Sequence, residues 1–402
     1  MTGSNQMTRL LFLVGDTGSG HRSAARAVAQ ALDGAYPGRF QTEICDALRG
    51  PGAAWRLRAL VALYGPGIRL TPWLWGWCWH ATGWPWFLAW NRRTLFSPVA
   101  HAVDRAVSAS QPAVIVAFHG MTTDPAVRAR DRIVPGTPVI TVVTDLITAH
   151  LSWRNPAVDR IVVPSAELAR RCAADGIPAE HCLETGLPVA AAFRAGRADA
   201  AGRARLRRGL GLPAGRFLIL MTGGGEGSGG LYRRAAALLR QPDDRTVAVV
   251  CGRNRMLYRR LRRLERQAGG RLVVRGFVDN MADWMRCADV VVGKAGPGTI
   301  AEAACCAAPL VLTSYLPGQE EGNAEFVVRA GAGRYAPRVR DLVAQLAALQ
   351  ADPAALAAMR AAATRLSRPG AAAQIADLLA ALAVPPAARP SPQGRPATAG
   401  RT

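Results

Sequence analysis

The chain lacks the features that mark a secreted or disulfide-bonded protein. Its eight cysteines, in 402 residues, form no C-x-x-C pair and no Cys/His spacing typical of a metal site, so we expect reduced, mostly buried thiols. The first eight residues carry no basic cluster, and the apolar run at 10–14 is too short for a signal peptide, which predicts a cytoplasmic protein. Apolar residues make up 50% of the chain, which excludes wholesale disorder and a collagen.

Acidic residues are scarce, and lysine is nearly absent. There are 28 Asp and Glu residues against 50 Lys and Arg residues, a net charge of +22, and Lys294 is the one lysine. A field of this sign attracts anionic lipid, nucleotides and nucleic acid alike. A GC-rich codon usage would produce the same arginine excess, so charge alone does not identify the partner. The arginines are dispersed and match no nucleic-acid recognition motif, so we predict no nucleic-acid partner.

Apolar runs rich in β-branched residues alternate with alanine-rich stretches typical of helices. This rhythm predicts an α/β fold of two Rossmann-like domains whose parallel sheets face each other across a cleft. Each half begins with a strand that runs into a glycine-rich turn, and ligands of such sheets bind beyond the carboxyl ends of the strands. The predicted strands lie at 10–15, 114–118, 139–144, 160–164, 217–222, 247–251, 272–275, 290–293 and 310–313.

Shifts in composition indicate the domain boundaries. We expect one domain at residues 1–195 and a second at 214–370, joined by a linker at 194–213 that is rich in Arg, Ala and Gly. A helix is predicted at 371–384. Residues 385–402 are rich in Pro, Ala, Arg and Gly without periodicity, which predicts a disordered tail.

Residues 55–95 break the α/β rhythm. They hold eight of the ten tryptophans, and no Asp, Glu, Lys or Arg occurs from 70 through 91. Two prolines and two glycines interrupt that stretch, which argues against a membrane-spanning helix. Because tryptophan prefers the headgroup level of a bilayer and arginines bracket the segment, we predict an interfacial membrane contact. An aromatic cluster packed under a lid is the alternative.

Glycine-rich turns follow predicted strands in both halves. In the first half, GDTGSGHR at 15–22 leads into a helix, and a neutral imidazole on His21 could accept a proton from a hydroxyl there. This turn is neither a Walker A loop nor a G-x-G-x-x-G pattern. In the second half, TGGGEGSG at 222–229 and KAGPGTIAE at 294–302 place free amides at strand ends, which favours an anion such as a diphosphate. Lys294 either meets that anion or is a solvated charge.

Taken in order, these segments resemble the monogalactosyldiacylglycerol synthase and processive diacylglycerol glycosyltransferase family, which is related to the enzyme that adds N-acetylglucosamine to lipid I. The resemblance runs from residue 10 to residue 328. It rests on GDTGSGHRSAA, FHGM, VVTDL, TGLPV, GFVDNM, KAGPGTIAE and PGQEEGN. The pattern departs at Ser19, where glycine is more usual, and in the Trp-rich insertion, which leaves the lipid acceptor open.

The resemblance implies an inverting GT-B glycosyltransferase that moves galactose or glucose from a UDP-sugar to diacylglycerol at the cytoplasmic face of the cell membrane. It implies His21 as the catalytic base and Asp145 as a second acidic candidate near the acceptor. No D-x-D motif occurs, so we expect no metal or other cofactor, and amides and cations would meet the charge of the leaving group. The donor residues it implies are Gly20, Gly224, Gly296 and Thr299 for the diphosphate, Phe277 and Val278 for the uracil, Glu302 for the ribose, Gln319 and Glu320 for the hexose, and Asn323 as a support of the hexose loop.

Three other functions stay open on the sequence alone. The acceptor could be another lipid, such as a polyprenyl-linked saccharide or a sterol. UDP-sugar epimerisation uses a similar two-domain architecture, although an epimerase has no need of the Trp-rich insertion. A non-catalytic lipid-binding scaffold would not need to bind UDP. In each membrane-bound case we expect anionic lipids as partners of the basic chain.

Overall fold

The computed structural model describes residues 7–15, 19–50, 71–84 and 97–383, with residues 55, 58–59, 61–63, 67 and 86 between them. Much of the predicted Trp-rich insertion lies outside the described residues. The predicted tail at 385–402 lies outside them as well.

The first half of the described chain is a parallel sheet covered by helices. Its strands are β1 (Thr8–Val14), β2 (Phe40–Asp46), β3 (Val114–Ala117), β4 (Val139–Val142), β5 (Arg160–Val163) and β6 (Cys182–Glu184), paired in the order β2-β1-β3-β4-β5-β6. Its helices are α1 (Ser19–Ala35), α2 (Pro72–Thr82), α3 (Ser97–Ser110), α4 (Gly120–Ile133) and α5 (Ala166–Ala174). Residues 10–14 of β1 are fully buried, as expected for a strand covered on both faces.

The second half repeats this design. Its strands are β7 (Leu218–Thr222), β8 (Thr246–Val250), β9 (Leu272–Arg275), β10 (Val290–Lys294), β11 (Leu310–Ser314) and β12 (Gly333–Tyr335), paired in the order β12-β11-β10-β7-β8-β9. Its helices are α6 (Ala200–Gly209), α7 (Leu231–Leu239), α8 (Arg255–Gln267), α9 (Met281–Cys287), α10 (Pro297–Cys305), α11 (Glu321–Arg329), α12 (Val339–Ala351), α13 (Pro353–Leu366) and α14 (Ala371–Leu382). The predicted α/β fold with two parallel sheets is therefore confirmed.

The segment predicted as a linker contains α6, which packs against α9. Arg207 on α6 is 5% exposed, and its guanidinium donates to the Cys287 carbonyl and the Asp289 carboxylate over distances of 2.9 and 2.8 Å. This stretch is thus packed structure rather than a loose connection, because its arginine is tied to the second sheet. The domain boundaries themselves stay a prediction.

The last described helix returns to the first half of the chain. Helix α14 packs against α1, and the Tyr36 hydroxyl donates to the Asp377 carboxylate over 2.9 Å. Apolar residues of α14, among them Ile375 and Leu379, are fully buried in the same core cluster as β1. The two halves of the molecule are therefore joined at the carboxyl terminus as well as at the segment around 195.

No single helix in the described part of the chain is long and apolar enough to cross a membrane. One pair of helices, 339–351 and 353–382, reaches the required length and apolar composition only when taken together, with a bend of 101° between its parts. Its apolar side chains, such as Leu346 and Ile375, are fully buried within the protein.

Candidate active site

His21 lies at the corner where the loop after β1 enters α1. Its Nδ1 is 2.7 Å from the Oγ1 of Thr144, which stands two residues beyond β4. The rings of His119 and Trp153 pack around it, with centroids 4.6 and 6.1 Å from its own. The carboxyl ends of the neighbouring strands β1, β3 and β4 therefore build one wall of the site.

Burial keeps the His21 imidazole unprotonated. Desolvation lowers the pKa of His21 to about 4, although a hydrogen bond with the Phe118 carbonyl opposes this shift. The pKa of the adjacent His119 lies well below its usual value, mainly because of burial and then because a protonated His119 would be repelled by a positive charge on His21. A neutral imidazole nitrogen can accept a proton from a hydroxyl. His21 thus has the protonation state that a general base needs at neutral pH.

Asp145, next to Thr144, bridges the two halves of the molecule. Its Oδ2 accepts a hydrogen bond from the indole Nε1 of Trp153 at 2.7 Å, and its Oδ1 accepts one from Nε2 of Gln319 at 2.9 Å. Desolvation raises the pKa of this buried carboxyl to about 6, against the two hydrogen bonds that lower it. Both oxygens are engaged within the protein, so the geometry makes Asp145 a brace between the walls. A part in proton transfer stays a prediction.

A lysine and two glycine turns form the opposite wall. Lys294 ends β10, and its ammonium pairs with the Glu320 carboxylate. Gly224 follows the adjacent β7 with a φ of 67°, and a Cβ added there would lie 4.0 Å from Cε of Lys294. A Cβ added at Gly296 would lie 3.5 Å from the ammonium nitrogen. Gly296 also caps the nine-residue α10, with Thr299 half-buried in its first turn. The amides at the start of α10 and one cation therefore converge on a site suited to a diphosphate.

Glu302, the sixth residue of α10, lies just beyond this anion site. Burial raises the pKa of its carboxyl to about 7, and desolvation is the sole cause of the shift. An ionised Glu302 is therefore held in an unfavourable environment. Hydroxyl donors of a ligand, such as the paired hydroxyls of a ribose, would relieve that penalty.

Phe277 and Val278 follow β9, at the edge of the second sheet. The Phe277 ring is 59% exposed, and the guanidinium of Arg253 stacks over it at 5.3 Å from its centroid. Val278 is half-buried against the core of the second half. The pair offers a flat apolar surface with a cation beside it, which suits a nucleobase.

The loop between β11 and α11 carries the predicted hexose contacts. Gln319 is half-buried, whereas Glu320 is 3% exposed and its Oε2 accepts a hydrogen bond from the Leu316 amide at 2.9 Å. Asn323 is fully buried, and its Nδ2 donates to the Ala295 carbonyl at 2.9 Å. Glu320 and Asn323 thus support the loop from within. The contacts of Gln319 and Glu320 with a sugar stay predictions.

The structure brings together most of the residues that the sequence indicated. Gly20 stands beside His21 in the first turn of α1, and a Cβ added there would meet nothing within 4 Å. Sequence reasoning missed His119, Thr144 and Trp153 as parts of the site. The FHGM and VVTDL segments contained the first two, and their position just beyond strand ends was the signal that could have found them.

Two family models cover most of the chain. Residues 21–189 match the model for monogalactosyldiacylglycerol (MGDG) synthase, and residues 218–376 match the glycosyltransferase family 28 C-terminal domain. Among curated relatives, a probable MGDG synthase 2 from Oryza sativa subsp. japonica is 32% identical over 347 residues, which cover 84% of this chain and 72% of the relative. MGDG synthase 2 from Arabidopsis thaliana is 31% identical over 340 residues, 82% of this chain and 71% of the relative.

Solved structures of low sequence identity share the fold. Acinetobacter baumannii MurG superposes with a TM-score of 0.61 at 17% identity, over 93% of this chain and 99% of its own. The Neisseria meningitidis UDP-GlcNAc 2-epimerase, solved with UDP-GlcNAc, gives 0.61 at 13% identity, over 93% of this chain and all of its own. Sequence identities this low are evidence of a shared fold only. The fold, the family models and the curated relatives agree that the chain belongs to the monogalactosyldiacylglycerol synthase family and is a UDP-sugar glycosyltransferase of GT-B fold.

Proposed function

We propose that this enzyme transfers galactose or glucose from a UDP-sugar to the free hydroxyl of diacylglycerol, forming a β-glycosyldiacylglycerol with inversion at the anomeric carbon. The observation that carries the proposal is a hydrogen bond across the cleft between two dipeptides, residues 144–145 on one wall and residues 319–320 on the other. Thr144 contacts His21, and its neighbour Asp145 bonds to Gln319. Glu320, next to Gln319, pairs with Lys294. A neutral imidazole and an anion site therefore face one cleft, as a single displacement between a hydroxyl and a nucleotide sugar requires.

The reaction follows from this placement. The acceptor oxygen forms a bond to the anomeric carbon while the bond between that carbon and the diphosphate oxygen breaks on the opposite face. His21 takes the proton of the attacking hydroxyl. UDP leaves as an anion, and Lys294 with the amides at the start of α10 stabilises the charge that develops on it. The buried Asp145 to Gln319 hydrogen bond keeps the two walls in register during the transfer.

The described part of the Trp-rich insertion supports a membrane contact. Trp73 and Trp77 of α2 are 69% and 68% exposed, and Trp84 just beyond the helix is 58% exposed. Indole rings that are exposed to water have a lower free energy at the headgroup level of a bilayer. We therefore place the enzyme at the cytoplasmic face of the cell membrane as a peripheral protein, with anionic lipids attracted by its net charge of +22.

A transfer assay tests the proposal. Purified protein is incubated with labelled UDP-galactose or UDP-glucose and vesicles that contain diacylglycerol, and the lipid fraction is analysed for sugar. We expect a labelled glycolipid from at least one donor and none from the His21→Ala variant. Absence of any lipid-linked sugar with both donors, in protein that binds UDP by calorimetry, would remove diacylglycerol as the acceptor.

A further inference from the structure

Helix α2 has two faces of different character. Trp73, Leu74 and Trp77 fall within about 100° of one another on a helix of 3.6 residues per turn, and they are 69%, 43% and 68% exposed. Gly76 and Trp79 point to the other side, where they are buried and half-buried respectively. The eleven-residue helix contains no acidic, Lys or Arg residue. Its outer face is therefore a band of indole rings and a leucine in contact with solvent, with the exposed His80 beside them.

The inner face of α2 lies directly on the donor loop between β11 and α11. A Cβ added at Gly76 would lie 2.6 Å from Cβ of Pro317, so only a glycine allows this approach. A Cβ added at Gly318 would lie 2.4 Å from Cδ1 of Trp79, and Gly318 has a φ of 80°, which also favours glycine. Two glycines, one on each element, thus permit a backbone-close contact between the insertion and the loop.

The contact between α2 and the donor loop adjoins the candidate site. Pro317 and Gly318 immediately precede Gln319, which bonds to Asp145, and Glu320, which pairs with Lys294. Any displacement of α2 from the loop therefore acts on residues placed to meet the sugar and the diphosphate. An isolated helix of this length is marginal in water, so α2 depends on what covers its faces.

We propose that α2 is a positioning element that couples a lipid surface to the donor site. A bilayer that takes up Trp73 and Trp77 at its headgroup level stabilises α2, and α2 in turn holds the loop through Gly76 and Trp79 in the geometry that binds the nucleotide sugar. The inference rests on the proposed function, because the lipid acceptor supplies the surface. Three features of the sequence identify an anionic bilayer as the occupant: the tryptophans, the absence of Asp, Glu, Lys and Arg from 70 through 91, and the five arginines at 56, 58, 69, 92 and 93.

Coupling of this kind is reciprocal, so a binding measurement tests it without turnover. UDP affinity is measured by calorimetry with and without vesicles of phosphatidylcholine and phosphatidylglycerol that contain no diacylglycerol. We expect UDP to bind about fivefold or more tightly on the vesicles, the lower range of typical allosteric couplings. Wild-type protein that fails to bind the vesicles, or that binds UDP equally well on and off them, overturns the proposal. The transfer assay decides the proposed function separately.

Two variants separate the faces of α2. Gly76→Ala favours the helix but prevents its close approach to Pro317, so it should still bind vesicles while UDP affinity no longer responds to them. Its matched control is Gly67→Ala in the same insertion, where an added Cβ meets nothing within 4 Å and the response should persist. The double variant Trp73→Ala/Trp77→Ala should keep the UDP affinity of free wild-type protein and lose vesicle binding. A full vesicle response in Gly76→Ala, or its loss in Gly67→Ala, contradicts the proposed contact.

Trp79 provides an independent readout. Trp79→Ala removes the ring that covers Gly318 and should raise KM for the UDP-sugar with a smaller change in kcat, because the loop binds the donor less well. Trp79→Phe keeps an aromatic ring there and should restore most of the donor affinity. Equal effects of the two substitutions on KM, or an effect on kcat alone, would exclude a positioning role for this residue.

Discussion

Replacing Glu302 by glutamine should make the free protein more stable and nucleotide binding weaker at the same time. Burial raises the pKa of Glu302 from 4.5 to about 7 in the folded protein. A raised carboxyl pKa means that ionisation destabilises the fold increasingly as the pH rises above 4.5, and the loss reaches about 3 kcal/mol above pH 7. Glutamine resembles the protonated acid and avoids this penalty.

The difference in stability between Glu302→Gln and wild type should depend on pH. Below pH 4.5 the carboxyl is protonated in both the folded and the unfolded protein, so wild type and Glu302→Gln should unfold alike. Between pH 4.5 and 7 the wild type loses stability relative to the variant, and above pH 7 the difference is at its maximum. Thermal unfolding at pH 5 and pH 8 measures it. We expect the Tm of the variant to exceed that of wild type at pH 8 by up to roughly 6 °C.

Nucleotide binding should change in the opposite direction. A hydrogen bond to a charged group contributes about 1.5–3 kcal/mol, so Glu302→Gln should weaken UDP binding roughly 10-fold or more. The 2′-deoxy analogue of UDP lacks one of the paired hydroxyls, and wild type should prefer UDP over it by about tenfold. The variant should show little preference. Calorimetry at pH 8 measures the affinity for UDP relative to its 2′-deoxy analogue, once for wild type and once for the variant. Ionisation of the diphosphate does not affect these ratios, because both nucleotides carry the same diphosphate.

The ratio of the affinities for UDP and its 2′-deoxy analogue can also refute the assignment of Glu302 to the ribose. If Glu302→Gln weakens UDP and its 2′-deoxy analogue equally, the carboxylate does not contact the 2′-hydroxyl and the assignment of Glu302 to the ribose is wrong. If the variant is less stable than wild type at pH 8, the carboxylate is engaged in the free protein and the desolvation argument fails. Thr299→Ser, a mild change one turn earlier on α10, serves as the matched control and should leave the ratio near that of wild type.

Three further outcomes follow from the contacts of the site. His21→Ala should lower kcat about 100-fold or more without weakening UDP binding, and because the pKa of His21 is about 4 the wild-type pH–rate profile should show no imidazole protonation between pH 6 and 8. Asp145→Asn places an N–H group against one of the two donors that Asp145 now accepts from, and the hydrogen bond between the walls is weakened. Steady-state kinetics should therefore show a higher KM for the UDP-sugar. An unchanged KM would exclude the bridging role of Gln319. Lys294→Met leaves the Glu320 carboxylate buried without its cation and should destabilise the protein by about 3–5 kcal/mol in denaturant unfolding. Adding Glu320→Gln to that variant should restore most of the stability but not the UDP affinity.

The sheet strands divide into those that the sequence revealed and those that it did not. All nine predicted strands are present within two residues of their predicted bounds. The three that escaped prediction, β2, β6 and β12, are edge strands. A central parallel strand is covered on both faces and is apolar throughout, whereas β2 alternates in burial and the other two are three residues long. These three edge strands therefore lack the local signal on which the prediction depends, whereas the fourth edge strand, β9, is a short apolar run and was predicted.

The candidate site divides in the same way. The starts of α1 and α10 were predictable because a glycine-rich segment between a strand and a helix is encoded by a few consecutive residues. The partners of His21 and Asp145 were not, since Thr144 and Gln319 lie 123 and 174 residues away in sequence. No local pattern specifies such a pair.

The sequence alone thus determined the two parallel sheets, the glycine-rich segments that follow their strands and the indole-rich composition of the insertion, since each depends on short runs of residue types. Tertiary structure alone decided that Glu320 is a buried brace, that Asp145 joins the two walls, and that α2 lies on the donor loop. Those properties arise from burial and from contacts between distant segments. Burial also moved the pKa of His21 and Glu302 in opposite directions, because the same desolvation opposes a positive charge on one and a negative charge on the other.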